Sequence, residues 1–315
     1  MNKLLKQAFT LIELLVVIAI IGILSGLIIV AINGITNSAT IAKTKIFSNS
    51  LRNSLLMNFI SEWKFNGTTS DGLPANNNDV LDTWKNINNG VVFTVPPIVR
   101  TGPECVSGSC LQFGSSNYVS FGSNPSLSMG LGDQTISLWA KFDNPYAPTN
   151  ETLAVCGATS GTATGDDGYW IMRYNGTSRL IVFFSDGDSA RISPYLSATG
   201  KLVANTWYNI VVVFDRDTVV QAYINGVKQP ESANISSLTG DLQNKAILRI
   251  GGEGLTTNRI VGKIDEIALY SAVVPTSQIK EQYYLGLNKL LSSGGISLSE
   301  YRENILNLSK YSASE

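Results

Sequence analysis

The chain has 315 residues, with 23 basic and 24 acidic side chains, a formal net charge of -1 and no histidine. The absence of histidine excludes Ser-His-Asp triads, histidine acid-base catalysis and most catalytic zinc sites. A balanced charge without a basic stripe offers no electrostatic basis for nucleic-acid binding, so we expect no nucleic-acid partner.

The N-terminal segment is strongly apolar and contains KQAFTLIELLVVIAIIGIL, which starts at Lys6. Residues 14–32 carry no charge and match the roughly 20 residues that a helix needs to cross a bilayer. Lys3 and Lys6 precede this span, and no acid precedes Glu13, so the positive-inside rule keeps the N-terminus in the cytoplasm. The sequence thus predicts a single-pass protein of the inner (cytoplasmic) membrane with its C-terminal part outside.

One acid, Glu13, stands inside the apolar stretch. An ionisable group costs roughly 2.5 to 3.5 kcal/mol at the centre of a membrane helix, so it marks a functional position by default. An ordinary signal peptide or a plain uncleaved anchor are the alternatives. A signal peptide has a shorter apolar region and a small-x-small cleavage site, whereas AINGITNSATIAK follows this longer run without a good A-x-A.

The N-terminus resembles that of type IV pilins and pseudopilins over roughly residues 6–32, through a short basic leader, then Phe9, Thr10 and Glu13, then an apolar helix. The resemblance implies that prepilin peptidase cuts between Ala8 and Phe9, and that Phe9 is then N-methylated. It also implies that Glu13 neutralises the new amine of a neighbouring subunit during filament assembly. Pairing makes both charges much less costly in an apolar setting. The family usually has Gly where this chain has Ala8.

Beyond the apolar segment, the sequence predicts a long helical stem, after which the composition changes. Apolar residues recur at three- to five-residue spacing as far as Trp63, which favours an amphipathic helix. The Gly- and Asn-rich stretch FNGTTSDGLPANNNDV then marks a boundary. We divide the chain into a leader (1–8), a transmembrane and stem helix (9–64), a β-sandwich (65–272) and a C-terminal helical segment (273–315).

Nine short segments, rich in Val, Ile and aromatic residues and separated by Gly, Asn and Asp, favour an antiparallel β-sandwich or barrel. They are NYVSFG, TISLWAKF, TLAVCGA, GYWIMRY, RLIVFFSDG, WYNIVVVF, VVQAYING, AILRIGG and KIDEIALYS. We expect a hairpin loop at residues 215–218 and a tight turn at Asn225-Gly226.

Five segments in this region resemble, in their order, laminin-G-like (concanavalin A-like) jelly-roll domains of bacterial surface proteins over about residues 62–285. They are CLQFGSSNYVSFGSNPSLSM, QTISLWAKF, NTWYNIVVVFDRDTVVQAYINGV, LRIGG and GKIDEIALYSAVVPTSQIKEQY. The expected fold is therefore α+β but mainly β: a long N-terminal helix, an antiparallel jelly roll and a C-terminal helical hairpin. Such domains commonly bind carbohydrate or protein, and many hold calcium. A sandwich that is only a rigid spacer is the alternative, since fold does not determine function.

Calcium takes six to eight oxygen ligands, for which Asp71, Asp79 and Asp265 are candidates. In similar sandwiches an acid of the IDE strand lies near the N-terminal loop, so we expect Asp71 and Asp265 to share a structural calcium ion. The alternative is that Asp71 and Asp79 are solvated turn residues. We expect no other cofactor.

Six aromatic residues are candidates for stacking on a sugar: Trp84, Tyr146, Tyr169, Trp170, Tyr174 and Tyr195. Strand alternation separates Tyr169 from Trp170 and Tyr174 but does not say which face is the core. The ligand-binding residues are therefore unknown at this stage.

We do not expect an enzyme. Glycoside hydrolases need two carboxylates flanking the scissile bond. Asp265 and Glu266 are adjacent on one strand, so alternation should point them to opposite faces. The sequence also lacks a phosphate-binding loop motif.

Three cysteines are present. Cys105 and Cys110 in ECVSGSC can close a small disulfide loop, which is permitted outside the cytoplasm. We expect Cys156 to be a buried free thiol that packs as a small apolar side chain.

The C-terminal segment predicts a helical hairpin of VPTSQIKEQYYLGLNKLLSSG and SLSEYRENILNLSKY, with Ser297 or Ser299 as the N-cap of the second helix. We expect this hairpin to cover an edge of the sandwich. Docking onto a neighbouring subunit is the alternative.

The features together favour a type IV pilin-like subunit that displays a lectin-like head from a surface filament for adhesion. Its expected partners are prepilin peptidase, other pilin or pseudopilin subunits, the inner membrane before assembly, and extracellular carbohydrate or protein. The alternatives are a type II secretion pseudopilin and a membrane-anchored carbohydrate-binding surface protein that does not polymerise.

Overall fold

The computed structural model describes residues 57–66, 80–145, 149–157, 167–186, 191–242, 247–253 and 258–312. The chain divides into two compact units, Met1–Leu56 and Met57–Glu315, and we call the second unit the head. None of the helices in the described ranges has both the length and the apolar composition of a membrane span. The span predicted for residues 14–32 lies outside those ranges.

The described part of the head is built mainly from strands. In chain order they are β1 (Phe59–Trp63), β2 (Val91–Thr94), β3 (Ile98–Thr101), β4 (Ser109–Phe113), β5 (Asn117–Ser120), β6 (Gln134–Phe142), β7 (Glu151–Gly157), β8 (Gly168–Tyr174), β9 (Arg179–Ser185), β10 (Arg191–Ile192), β11 (Trp207–Phe214), β12 (Val219–Ile224), β13 (Val227–Asn234), β14 (Ile247–Ile250) and β15 (Gly262–Tyr270). Two helices follow, α1 (Thr276–Ser293) and α2 (Leu298–Ser312).

The strands form two antiparallel sheets that face each other. The first sheet has the order β13-β12-β11-β6-β15-β4-β3, with β1 also paired to β15. The second sheet has the order β10-β9-β8-β7-β14-β5-β2. This arrangement is the antiparallel β-sandwich predicted from the sequence.

The core lies between the two sheets, and strand alternation explains which side chains enter it. On β11, Tyr208, Ile210, Val212 and Phe214 point into the core, because alternate residues of a strand share a face. Burial of each large apolar side chain contributes roughly 1.5 to 3 kcal/mol, so the many residues of this core provide the main stabilisation.

The nine predicted strand segments all contain strands of the structure. The expected hairpin loop at residues 215–218 connects β11 to β12. The turn after β12 has positive φ at both central positions, 55° at Asn225 and 73° at Gly226. This is the conformation that a two-residue type I′ hairpin turn requires and that the Asn-Gly pair predicts.

The prediction of a stem helix as far as residue 64 is wrong at its end, because Phe59–Trp63 is a strand. Phe59, Ser61 and Trp63 are buried while the residues between them are only partly buried, and the strand pairs with β15. A four-residue apolar spacing fits both periodicities, since residues i and i+4 share a face in a helix and in a strand. The head therefore begins before residue 65, and the rest of the stem lies outside the described ranges.

The two helices form the hairpin predicted for the C-terminal segment, but they cover a face of the sandwich rather than an edge. The Tyr283 ring of α1 stacks on Trp139 of β6, on the outer face of the first sheet, with centroids 5.6 Å apart. Ser297 is the N-cap of α2: its backbone N–H donates to Glu300 Oε2 at 2.7 Å, and the Glu300 N–H donates to Ser297 Oγ at 3.2 Å. This reciprocal capping box fixes where α2 begins.

Candidate functional site

The residues predicted for processing and assembly, Ala8, Phe9, Thr10 and Glu13, lie outside the described ranges, as do Asp71 and Asp79. Their roles stay predictions. Apart from Tyr146, the other predicted site residues lie within the described part of the head.

Asp265 lies on β15 and is fully buried. Its Oδ2 accepts hydrogen bonds from the backbone N–H groups of Val106 at 2.9 Å and Ser107 at 3.1 Å, and its Oδ1 accepts from the N–H of Glu266 at 2.7 Å. Burial raises the pKa of Asp265 well above its ordinary value, the nearby Glu266 carboxylate raises it further, and the three amides lower it. The carboxylate thus anchors the backbone at residues 106–107.

The segment that Asp265 anchors is closed by a disulfide between Cys105 and Cys110. Both cysteines are buried against the C-terminal hairpin. Across the described ranges, no three acidic or cysteine side chains converge as a metal site would require. A calcium ion shared by Asp71 and Asp265 therefore stays a prediction, while the observed role of Asp265 is to position the disulfide loop.

The expectation that Asp265 and Glu266 face opposite sides of the sheet is wrong. A bulge in the pairing of β15 with β6 interrupts the alternation, and Glu266 has a φ of 48°. Asp265 is paired with Trp139, which contacts α1, and Glu266 forms an ion pair of 2.9 Å with Lys289 of α1. A bulge inserts one extra residue, so both acids lie on the outer face.

The structure separates the six aromatic candidates. Tyr169 belongs to the core between the sheets, and Trp170 is buried in a cluster on the outer face of the second sheet. Trp84 packs edge-on against Phe59, with centroids 5.0 Å apart. Tyr146 lies outside the described ranges. Stacking on a ligand is therefore restricted to partly exposed rings.

The partly exposed rings on the outer face of the second sheet form an aromatic patch of Tyr174, Phe183 and Tyr195. Tyr174 and Tyr195 meet edge to face at 5.2 Å, and the guanidinium of Arg179 lies 4.1 Å from the centre of the Tyr195 ring. Burial and a hydrogen bond with Tyr174 raise the pKa of Tyr195, while Arg179 lowers it.

A cavity of about 260 Å³ lies between the outer face of the first sheet and the helical hairpin, and we call it the hairpin cavity. Lys141 of β6 and Trp207 of β11 line its sheet side. The helices contribute Tyr283, Glu300 and Asn304, among others. Aromatic rings, amides and charges of both signs thus meet in one partly open cavity.

Two contacts order the walls of the hairpin cavity. The Tyr283 hydroxyl donates to Asn304 Oδ1 at 3.0 Å, and Asn304 Nδ2 donates to the carbonyl of Glu300 at 2.9 Å. Burial raises the pKa of Tyr283, so the hydroxyl stays protonated as a donor. The Trp207 ring is 7% exposed, and its indole N–H has no hydrogen-bond partner among the described residues.

Sequence reasoning missed Trp207 and Tyr283. Each stands in a segment that was identified correctly, Trp207 at the start of WYNIVVVF and Tyr283 within KEQYYLGL. The available signal was the apolar stripe of α1, which includes Tyr283, since a stripe predicts a partner surface. The sequence did not indicate which strand supplies that surface.

Two family models match separate parts of the chain. The family described as the concanavalin A-like lectin/glucanases superfamily, with the laminin-G-type profile, matches residues 113–280. This match covers more than half of the 315 residues, so the chain belongs to that superfamily. The prokaryotic N-terminal methylation motif matches residues 4–29. The fusion of a pilin-type N-terminus with a laminin-G-like domain is thus confirmed.

Solved structures with the same fold include the binding domain of Paraclostridial Mosquitocidal Protein 1, with a TM-score of 0.56, 18% identity, and coverage of 74% of this chain and 53% of that chain. Domain 4 of AbnA, an extracellular arabinanase from Geobacillus stearothermophilus solved with arabinotriose, has a TM-score of 0.51, 17% identity, and coverage of 71% and 97%. The botulinum neurotoxin serotype D binding domain has a TM-score of 0.52, 14% identity, and coverage of 75% and 53%.

The chain thus spans about half the length of the toxin binding domains that it resembles. At these identities the similarity establishes the fold and not the ligand. No curated protein matches the sequence.

Proposed function

We propose that this protein is a type IV pilin-like subunit that assembles into a surface filament and carries a lectin-like head for adhesion. The observation that carries the proposal is the union, in one chain, of the methylation motif at residues 4–29 with the concanavalin A-like domain at residues 113–280. Neither part alone supports this function. The first supplies a means of assembly, and the second supplies a surface for binding.

Assembly follows from the chemistry of the N-terminus. Prepilin peptidase cuts between Ala8 and Phe9, and the methylated Phe9 amine of one subunit pairs with Glu13 of its neighbour. Both groups are charged at neutral pH and costly alone in an apolar setting, so their pairing favours packing of the stems side by side. Before assembly, the subunit is held in the inner membrane by residues 14–32, with the head outside.

The head acts in binding rather than in catalysis. Its superfamily contains lectins as well as glucanases, and one similar domain was solved with arabinotriose. The adjacent acids Asp265 and Glu266 are engaged with backbone amides and with Lys289, respectively. The ligand proposed for the head is an extracellular carbohydrate.

The test is to compare the wild-type protein with Glu13→Ala in its host, using Asp217→Ala as a matched control at an exposed acid of the head. Mass spectrometry of the intact protein should give a mature chain that begins at methylated Phe9 in all three. We expect the wild-type and the control proteins in sheared surface filaments, and a loss of at least about tenfold for Glu13→Ala, because its filament contact leaves an unpaired amine.

The other outcomes distinguish the alternatives. A chain that still begins at Met1 contradicts the proposal and indicates a membrane-anchored binding protein. A processed chain that never reaches sheared filaments, but is needed for secretion, indicates a type II secretion pseudopilin.

A further inference from the structure

We infer that the hairpin cavity is a binding site for a single neutral sugar unit. This inference rests on the proposed lectin-like role of the head and adds the place and the chemical class of the ligand. The walls come from β6 and β11 of the sandwich and from the C-terminal helices, so the site exists only where the hairpin docks.

The size of the cavity limits the ligand. A volume of about 260 Å³ equals the share of roughly eight or nine water molecules in the liquid. That space accommodates one sugar ring with its hydroxyl groups and is too small for a folded peptide or several linked rings. Longer glycans would bind through one terminal or protruding unit.

The apolar wall suits the C–H faces of a sugar ring. Trp207 and Tyr283 place two aromatic rings on the cavity, and Leu287 and Leu290 extend this wall. Binding sites for small molecules combine such an apolar lining with a few placed polar groups that fix orientation. The contribution of Trp207 is its ring, because its indole N–H is buried away from solvent and out of reach of a ligand.

The polar wall offers both donors and acceptors, as hydroxyl groups require. Lys141 donates, Glu300 and Glu303 accept, and Asn307 can do both. Hydrogen bonding with Ser297 and, to a smaller extent, the Lys141 ammonium lower the pKa of Glu300, so its carboxylate stays ionised. One lysine facing two glutamates disfavours an anionic ligand, and we therefore assign a neutral sugar rather than a uronate or a sialic acid.

The aromatic patch has the opposite character. The guanidinium groups of Arg179 and Arg191 lie 4.1 Å from the Tyr195 ring centre and 5.9 Å from the Phe183 ring centre, respectively, so the charges that contact its rings are positive. The hairpin cavity is the better place for a small neutral ligand because it is concave and its lining carries charges of both signs.

The test is titration of the full mature chain, in detergent, with arabinose, galactose, glucose, N-acetylglucosamine and glucuronate, followed by tryptophan fluorescence and by saturation-transfer NMR. Trp207→Phe replaces the indole with a smaller ring, and we expect binding to weaken about fivefold because the apolar wall loses contact area. Trp84→Phe is the matched control, because Trp84 packs on Phe59 outside the cavity. Asn307→Trp fills the cavity from an exposed helix position and should abolish binding.

Saturable binding of a neutral sugar that is weakened by Trp207→Phe, lost in Asn307→Trp and unchanged in Trp84→Phe supports the inference. Three results overturn it: no neutral sugar binds, glucuronate binds as tightly, or both cavity variants bind like the wild type. Circular dichroism of each variant separates lost binding from lost folding. If filaments form and adhere while the cavity variants bind sugar like the wild type, the site is refuted and the proposed function stands. If sugar binds at the cavity but no filaments form, the site stands and the proposed filament function is refuted.

Discussion

At the scale of single residues, the head contains a buried ion pair, whose two charges are costly to remove from water. Arg173 and Glu151 are both fully buried, and Arg173 Nη1 lies 2.7 Å from Glu151 Oε2. Arg173 Nη2 also donates to the carbonyl of Pro145 and to Ser178 Oγ, while Glu151 Oε1 accepts from the N–H of Val261. The pair thus fixes several loops at one end of the sandwich.

Glu151→Ala should lower the free energy of unfolding by about 3 to 5 kcal/mol, because it leaves the Arg173 charge buried without its partner. Chemical unfolding measures the change. The control is Glu104→Ala, which removes an acid that is 49% exposed and should cost about 1 kcal/mol or less. If both variants lower the free energy of unfolding equally, the buried pair contributes no more to stability than an exposed one.

Asp265 predicts an unusual dependence of stability on pH. Its pKa is raised in the folded state, so between the ordinary value of 3.8 and the raised value the folded chain holds a proton that the unfolded chain releases. Stability from this group is therefore present at low pH and is lost as the pH rises through the raised pKa.

Asp265→Asn should remove this dependence. The amide can still accept from one side but cannot accept on both, so we expect a loss of about 1 to 3 kcal/mol near pH 4. The difference from the wild type should shrink as the pH rises, because only the wild type then carries a buried charge. Unfolding measured from about pH 4 to about pH 8 tests this sign. A difference that grows with pH would contradict it, and Asp217→Asn at an exposed acid should show neither effect.

At the scale of elements, the docking of α1 depends on one glycine. Gly286 faces Trp139, and a Cβ at this position would clash with the indole ring. The apolar stripe of α1 can approach the sheet closely only because this position has no side chain. The hairpin cavity, which α1 helps to enclose, depends on the same approach.

Gly286→Ala should therefore destabilise the head by about 1 to 3 kcal/mol through overpacking. The sign of the change in stability is informative, because alanine in an unconstrained helix would instead add about 1 kcal/mol of stability relative to glycine. Gly114→Ala is the control, because a Cβ there meets nothing within 4 Å. Chemical unfolding followed by tryptophan fluorescence measures both, and a more stable Gly286→Ala variant would contradict the clash.

The elements also show what the sequence could predict. The nine predicted strand segments are long or strongly apolar, so composition and alternation identify them. Short or polar edge strands, such as β10 and β13, lack that pattern: β13 carries Pro230 and several charged or polar residues, as edge strands often do. The bulge in β15 was missed because it breaks the alternation on which the prediction depended.

At the scale of the whole molecule, the sequence predicted the sandwich, the hairpin and the superfamily, but not the hairpin cavity. The hairpin cavity brings together Lys141, Trp207 and Glu300, which are far apart in the sequence. Such a site depends on which face of the sheet the helices cover. Local patterns predict that each helix has an apolar face, but they do not identify its partner.

The strand that begins the head has a mechanical consequence for the proposed adhesion from a filament. β1 pairs antiparallel with β15, from Phe59 opposite Tyr270 to Trp63 opposite Ile267, and the Trp63 indole is anchored by the carbonyl of Asn88. Force that enters at Met57 along β1 loads these hydrogen bonds together, in shear, rather than one after another.

Single-molecule pulling can test this load path, with one handle at the exposed Lys228, which lies at the end of the sheet opposite to Phe59, and the other at Met57 or at Ser312. We expect a higher rupture force through Met57, because pulling at Ser312 peels the helices from the sheet one turn at a time. A lower force through Met57 would contradict the shear geometry. In the proposed filament, a head joined in this way would resist unfolding when tension is applied through its N-terminal end.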